Sequence, residues 1–232
     1  MVLNAPALDA DGTDTPSASG ATTSGTTTPS VRAMCGLGPS VPLVVYSGLA
    51  AEKRGLATMI DALPKLDGVH VALVVPKPDA PFMKQLRARA DGLQVSDRVH
   101  MLPYVPHWQV VPFLATADVG VIPIHHVPNH EIALITKFFE YSHARLPIVV
   151  SDVRTMSATV VATGQGLVFT ATDADDYARA VRAVLADPDS FRAAYEKPGL
   201  LDEWTWAAQA RVLDKVYEGL ADGATTMTTS GS

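Results

Sequence analysis

The sequence predicts an α/β chain built on a doubly wound parallel sheet, and three observations point there. Short apolar runs alternate along the chain with segments whose apolar residues recur at helical spacing. The runs are apolar at successive positions rather than at every second one, the pattern of strands covered on both faces and hence of parallel strands. At 232 residues and 47% hydrophobic content, the chain can close a core around such a sheet. Crossovers between parallel strands are right-handed, which leads to helices on both faces.

The elements follow in order. "VPLVVYSG", ending at Gly48, is a buried strand, and "RGLATMIDALPKL" sets Leu56, Met59, Ile60, Leu63 and Leu66 at helical spacing. "HVALVV" is a second strand, followed by a helix over "FMKQLRARADGL" that closes at Gly92. "RVHMLPYV" and "VGVIPI" are two further strands, with a short helix over "HWQVVPFLATA" that Pro112 confines or kinks. "NHEIALITKFFEYSHARLPIVVSDV" reads as one helix from Asn129 feeding the strand "PIVVSD". A helix from about Arg154, the strand "GLVFT", a helix over "DADDYARAVRAVLAD" and two closing helices complete six β-α units. Asp173, Asp175 and Asp176 suit the positive end of their helix.

Two stretches fall outside this pattern. Residues 1–30, rich in Ser, Thr, Gly and Ala from Ala10 on, and residues 221–232 offer little to bury and are expected to be flexible. The ordered domain is expected at 31–220. A net charge of −6 argues against a nucleic-acid partner. The lone Cys35 allows no internal disulfide and no cysteine metal cluster. No apolar run has the length of a membrane span and no signal pattern opens the chain, so a cytoplasmic setting is expected.

A doubly wound sheet binds ligands beyond the carboxyl ends of its strands, so the turns there carry the information. In the first, "SGLAAEKRGL", Gly48 permits a tight turn, and Lys53 and Arg54 stand at the start of a helix, the unfavourable end for cations. An anion held at that helix start would account for them; a solvated surface pair is the plainer alternative. In the fourth, Ala133, Lys137, Glu140 and Ala144 form one stripe of the expected helix, with Ile132, Ile135, Phe138 and Phe139 towards the core. That stripe reads as the floor of a pocket, in which Lys137 reaches a phosphate and Glu140 accepts from vicinal hydroxyls. A plain i, i+3 ion pair is the competing reading.

Taken together, these segments resemble a known family. "VVYSGLAAEKRGLATMIDAL", "DRVHMLPYVP", "TADVGVIPI", "ITKFFEYSHARLPIVVSDV", "GQGLVF" and "TWAAQARVLDKVYEGL" are similar, in order, to the motifs of the C-terminal, donor-binding half of a GT-B glycosyltransferase of the family 4 (group 1) kind. "K-F-F-E-Y" is the most specific of them. "VLNAPALD" looks like the linker between the two halves of such an enzyme.

The resemblance implies a Rossmann-like GT-B C-terminal domain that binds a nucleotide-diphosphate sugar for hexosyltransferase-like, commonly retaining transfer without a required metal or other cofactor. It implies Arg54 and Lys137 on the donor diphosphate as the catalytic cations, and Glu140 on the ribose. It also implies Gly48 in the first turn, Leu102, Pro103 and Tyr104 beside the base, and Glu131 near the donor. In this family the acceptor is bound by an N-terminal domain, supplied in cis or in trans, through which peripheral membrane contact is possible. The chain is expected to be inactive as an isolated half. The sequence departs from the family pattern at Leu49, where an Arg is frequent, at Ile132, where many members have Glu, and at Arg145, the usual Gly of "A-G-x-P". A non-catalytic nucleotide-sugar-binding or partner domain and a GT-B epimerase-like enzyme are the alternatives.

Other motifs are weaker. His125, His126, His130 and Glu131 suggest a zinc site, but Pro128 argues against one helix carrying both His126 and His130. No G-x-G-x-x-G follows the first strand, as a nicotinamide enzyme requires. Trp204 and Trp206, read on the last helix, suit core or interface.

Overall fold

A computed structural model describes residues 30–227. Six parallel strands form one sheet: β1 (Leu43–Ser47), β2 (His70–Val75), β3 (Val99–Pro103), β4 (Val119–Ile122), β5 (Ile148–Ser151) and β6 (Gly166–Phe169), in the spatial order β3-β2-β1-β4-β5-β6. The order reverses direction between β1 and β4, which makes that crevice the switch point. There β1 and β4 pair through only two residue couples, Val44–Val119 and Val45–Gly120, whereas β1 and β2 pair through five.

The continuous apolar runs are explained by two cores, one on each face. Val44 and Tyr46 of β1, and Val71, Leu73 and Val75 of β2, meet α2 (Leu56–Ala62), α3 (Pro81–Gly92) and α8 (Ala174–Ala186). Leu43, Val45, Ala72 and Val74 point the other way, into a core shared with α1 (Val31–Met34), α4 (Val110–Leu114), α6 (Thr136–His143) and α7 (Arg154–Thr163). Each large apolar side chain fully buried this way contributes about 1.5–3 kcal/mol. Asp173 caps α8 by accepting from the amides of Asp175 and Asp176, as its acidic start suggested.

Several expectations are corrected. The helix read continuously from Asn129 is two: α5 (Pro128–Glu131) and α6, separated by residues 132–135. The Glu131 carbonyl, which a continuing helix would bond to the Ile135 amide, accepts instead from the Thr155 hydroxyl at 2.7 Å, and Ile135 is extended. Ile132 is 66% exposed rather than core, while Phe138 and Phe139 are fully buried. The stripe from Ala133 to Ala144 therefore does not exist as one helical face.

Trp204 sits in a 3-10 turn, Asp202–Trp204, ahead of the last helix. It packs edge-on against Phe138 and Phe139, with ring centroids 5.4 and 5.9 Å away. Trp206 opens α10 (Trp206–Met227) and is half exposed. That helix continues through residues 221–227, assigned above to the tail, because each residue added to an existing helix gains a hydrogen bond without a new nucleation step. The short α9 (Pro188–Arg192) follows α8. The expected N-terminal flexible stretch, but for Ser30, and residues 228–232 lie outside the described residues. Among the described residues no helix is long and apolar enough to cross a membrane.

Candidate functional site

The cleft lies at the carboxyl ends of β1 and β4. It encloses about 400 Å³ and is lined by Tyr46–Leu49, Arg54, Tyr104, Val121, Ile122 and the 133–137 segment. The first turn reaches it because two glycines let the backbone come close. A Cβ on Gly48 would stand 2.7 Å from the Tyr46 hydroxyl, which itself donates to the Leu49 carbonyl at 2.7 Å. Gly55 is left-handed (φ +71), and a Cβ there would stand 1.8 Å from the Pro123 carbonyl oxygen. The His125 amide donates to the Lys53 carbonyl at 2.9 Å, so the loop after β4 grips this turn directly.

Arg54 ends the 3-10 turn Glu52–Arg54 and faces the cleft; among the described residues its guanidinium has no hydrogen-bond or ion-pair partner. Lys53 is exposed and does not line the cleft. Lys137, on the first turn of α6, donates to both carboxylate oxygens of Glu140, at 3.0 and 2.7 Å, and lies 5.2 Å from the centre of the Tyr104 ring. This is no solvated surface pair: Glu140 is 8% exposed. Burial raises the Glu140 carboxyl above the ordinary glutamate range, and Lys137 partly opposes it. Burial also pushes the Tyr104 phenol up to about 12, with the Glu140 charge adding to the effect.

Arg54, Gly48, Lys137 and Tyr104 thus line one cleft, with Glu140 held on Lys137. The rest of the sequence-read site is displaced. Leu102 is in the core and Pro103 is exposed at the end of β3, so only Tyr104 of that stretch reaches the lining. Glu131 is not in the cleft. It borders a separate depression with His126 and Arg154, accepting from the Arg154 amide at 2.8 Å and meeting His126 Nδ1 at 2.6 Å. The break after α5 moved it there.

His126 also meets Asp152 through Nε2 at 2.8 Å, and the Glu131 and Asp152 carboxylates raise its pKa. His130 is buried, with Nδ1 2.8 Å from the His125 carbonyl oxygen. His126 and His130 do not converge, and among the described residues no three or more His, Cys, Asp or Glu side chains are placed to hold a metal.

Sequence reasoning missed Tyr141, which is quoted in "K-F-F-E-Y" but given no role. Its hydroxyl accepts from the Ser47 amide at 2.7 Å, and its ring packs where a Cβ on Gly120 would be 2.6 Å away. It also missed Leu134, Ile135 and Thr136 as cleft lining; of that segment only Ala133 was read towards the pocket.

The model of the family described as "Glycosyl transferases group 1" matches residues 36–199. The lipopolysaccharide core biosynthesis glycosyltransferase LpsE of Rhizobium meliloti (strain 1021) is 32% identical over 149 residues, covering 63% of this chain and 40% of that protein. Among solved structures, sucrose-phosphate synthase from Thermosynechococcus elongatus aligns at a TM-score of 0.67 and 23% identity, over 83% of this chain and 49% of that one. Anabaena HepE, solved in complex with UDP and glucose, aligns at 0.64 and 15%, over 79% of this chain and 49% of that one. The chain therefore spans about half the length, or less, of these relatives. The structural likeness is to GT-B glycosyltransferases and bears on the fold. With a family match across all six strands of the sheet and the crevice at its switch point, the chain belongs to the group 1 glycosyl transferases.

Proposed function

We propose that this chain is the donor-binding half of a glycosyltransferase and holds a nucleotide-diphosphate sugar in the β1/β4 crevice. One observation carries this reading: an arginine with no hydrogen-bond or ion-pair partner among the described residues lines the same cleft as Lys137, whose partner Glu140 is largely buried. Buried charge is costly, and two cations converging on one cavity fit a dianionic ligand. Arg54 and Lys137 take the diphosphate, Glu140 accepts from the ribose hydroxyls, and Tyr104 borders the base. HepE, a protein of similar fold, is solved with UDP-glucose.

In the reaction the bond between the anomeric carbon and the diphosphate oxygen breaks, a bond from that carbon to an acceptor hydroxyl oxygen forms with retention, and the hydroxyl proton passes to the leaving diphosphate. The electron pair leaves with the diphosphate, where Arg54 and Lys137 stabilise the developing charge without a metal. Because the chain spans about half of its relatives, we assign acceptor binding to an N-terminal GT-B domain, in cis or in trans. Any peripheral membrane contact would come through that part, and the setting we propose is cytoplasmic.

Calorimetric titration with UDP and with uridine tests the site as a pattern. Arg54→Ala and Lys137→Ala should each weaken UDP about ten- to a hundredfold, the range for hydrogen bonds to charged groups, and hardly affect uridine. Glu140→Ala should weaken both ligands. If Glu140→Ala leaves UDP and uridine affinity untouched below the melting transition and only lowers the stability of the domain, the carboxylate is structural and this reading is wrong.

A further inference from the structure

We propose that Tyr141 is a positioning residue, whose hydroxyl holds the first-turn backbone at Ser47–Gly48 in register with Lys137 and Glu140. The inference deepens the nucleotide-site reading above and rests on it.

The geometry begins with the sheet. β1 and β4 stop pairing after Val45–Gly120, so the Ser47 amide, on the β4 side of β1, meets no strand partner. An amide buried there needs an acceptor. The Tyr141 hydroxyl supplies it at 2.7 Å and lies 3.4 Å from the carbonyls of both Val45 and Val121. One phenol oxygen thus stands where the splayed strands leave a gap.

The ring can enter only because residue 120 is glycine: a Cβ there would lie 2.6–3.0 Å from three of its ring carbons. Tyr141 is fully buried and follows Glu140 directly on α6. Across the same turn, the Tyr46 hydroxyl donates to the Leu49 carbonyl, and the Gly48 amide donates to the Val74 carbonyl at 3.0 Å. The turn is therefore pinned to β2 on one side and, through Tyr141, to the helix carrying Lys137 and Glu140 on the other. Arg54 follows on the same turn. A displaced first turn would separate the two cations that have to meet one diphosphate.

The test uses the whole chain. Tyr141→Phe keeps the ring and removes the hydroxyl. With melting checked by circular dichroism, UDP and uridine affinities are measured well below the transition. Positioning predicts about tenfold weaker UDP with nearly unchanged uridine, because the phosphate arm alone loses alignment. A purely structural role would leave both affinities as they are, and that result overturns the proposal. In the wild-type chain, hydrogen exchange at the Ser47 and Gly48 amides should slow when UDP binds. Unchanged exchange there with UDP bound also overturns the proposal, whether or not Tyr141→Phe folds. If the wild-type chain fails to bind UDP at all, the nucleotide reading falls and takes this inference with it. Wild-type binding with an unaffected Tyr141→Phe variant removes this inference alone.

Discussion

Lys137→Met should turn the α6 ion pair into a buried, unpaired carboxylate. The Glu140 side chain is 11% exposed and that of Lys137 20%, and the two are joined by contacts of 2.7 and 3.0 Å. Breaking a fully buried pair costs 3–5 kcal/mol. The residual exposure here, and the ability of Glu140 to take up a proton, reduce that to about 2–3 kcal/mol at pH 7.

The sign of the pH dependence follows from Glu140. Burial already raises its folded pKa above the ordinary value, and loss of Lys137 raises it further. A carboxyl with a raised folded pKa costs nothing below its unfolded pKa and destabilises progressively as pH rises through the folded one. The Lys137→Met deficit should therefore be smallest near the ordinary glutamate range and grow as pH rises above it. Adding Glu140→Gln should recover most of the stability and flatten the pH dependence. Urea unfolding of the wild type and both variants between pH 4.5 and 8 measures this directly. A deficit below about 0.5 kcal/mol, the scale of a solvated pair, or one that does not change with pH, would refute the reasoning.

Other outcomes follow from single positions. Gly55→Ala combines a left-handed backbone with a Cβ 1.8 Å from the Pro123 oxygen, and should lose at least about 2 kcal/mol by urea unfolding. Arg145 is left-handed at φ +55 just past α6, and its ion pair with Glu196 is exposed, so Arg145→Gly should gain about 0.5–1 kcal/mol. His70 Nδ1 and His100 Nε2 lie 3.0 Å apart, and burial lowers both pKa values. In the native state this pair binds fewer protons than in the unfolded chain, so its contribution to stability should fall as pH drops below about 6.5. His100→Gln should reduce that slope, while His126, whose shift is opposite, is unchanged in the comparison. Finally, the 232-residue chain alone should not glycosylate acceptors in a UDP-sugar assay; robust transfer would show that it needs no second domain.

The strands were legible because their signal is local. A run such as "HVALVV" is apolar on both faces, and both faces of β2 proved buried. Arg54 was legible as a cation in the turn after β1, but the helix start assigned to it was not: it ends a 3-10 turn ahead of the Gly55 cap of α2. The acidic start of α8 was legible too, though not that Asp173 is its cap. The break at 132–135 was not legible: the Glu131 carbonyl there accepts from Thr155 on α7, a contact with a distant segment that leaves no local signal. With the break, Glu131 stands outside the cleft and residues 133–136 line it. Arg145 could be seen to stand where the family has glycine, but its positive φ could not.

The sequence by itself determined the class of fold, the family and the residue types available to meet an anion. These depend on periodicity and on ordered local motifs, which the chain carries before it folds. Only the tertiary structure decided which charges share a cavity, that Lys137 is bound to a buried Glu140 while Arg54 has no hydrogen-bond or ion-pair partner among the described residues, and that Tyr141 closes the gap between β1 and β4. Burial and the splaying of two strands are set by contacts between distant segments. The protonation of a carboxyl and the position of an amide follow from those contacts, not from the neighbours in the chain.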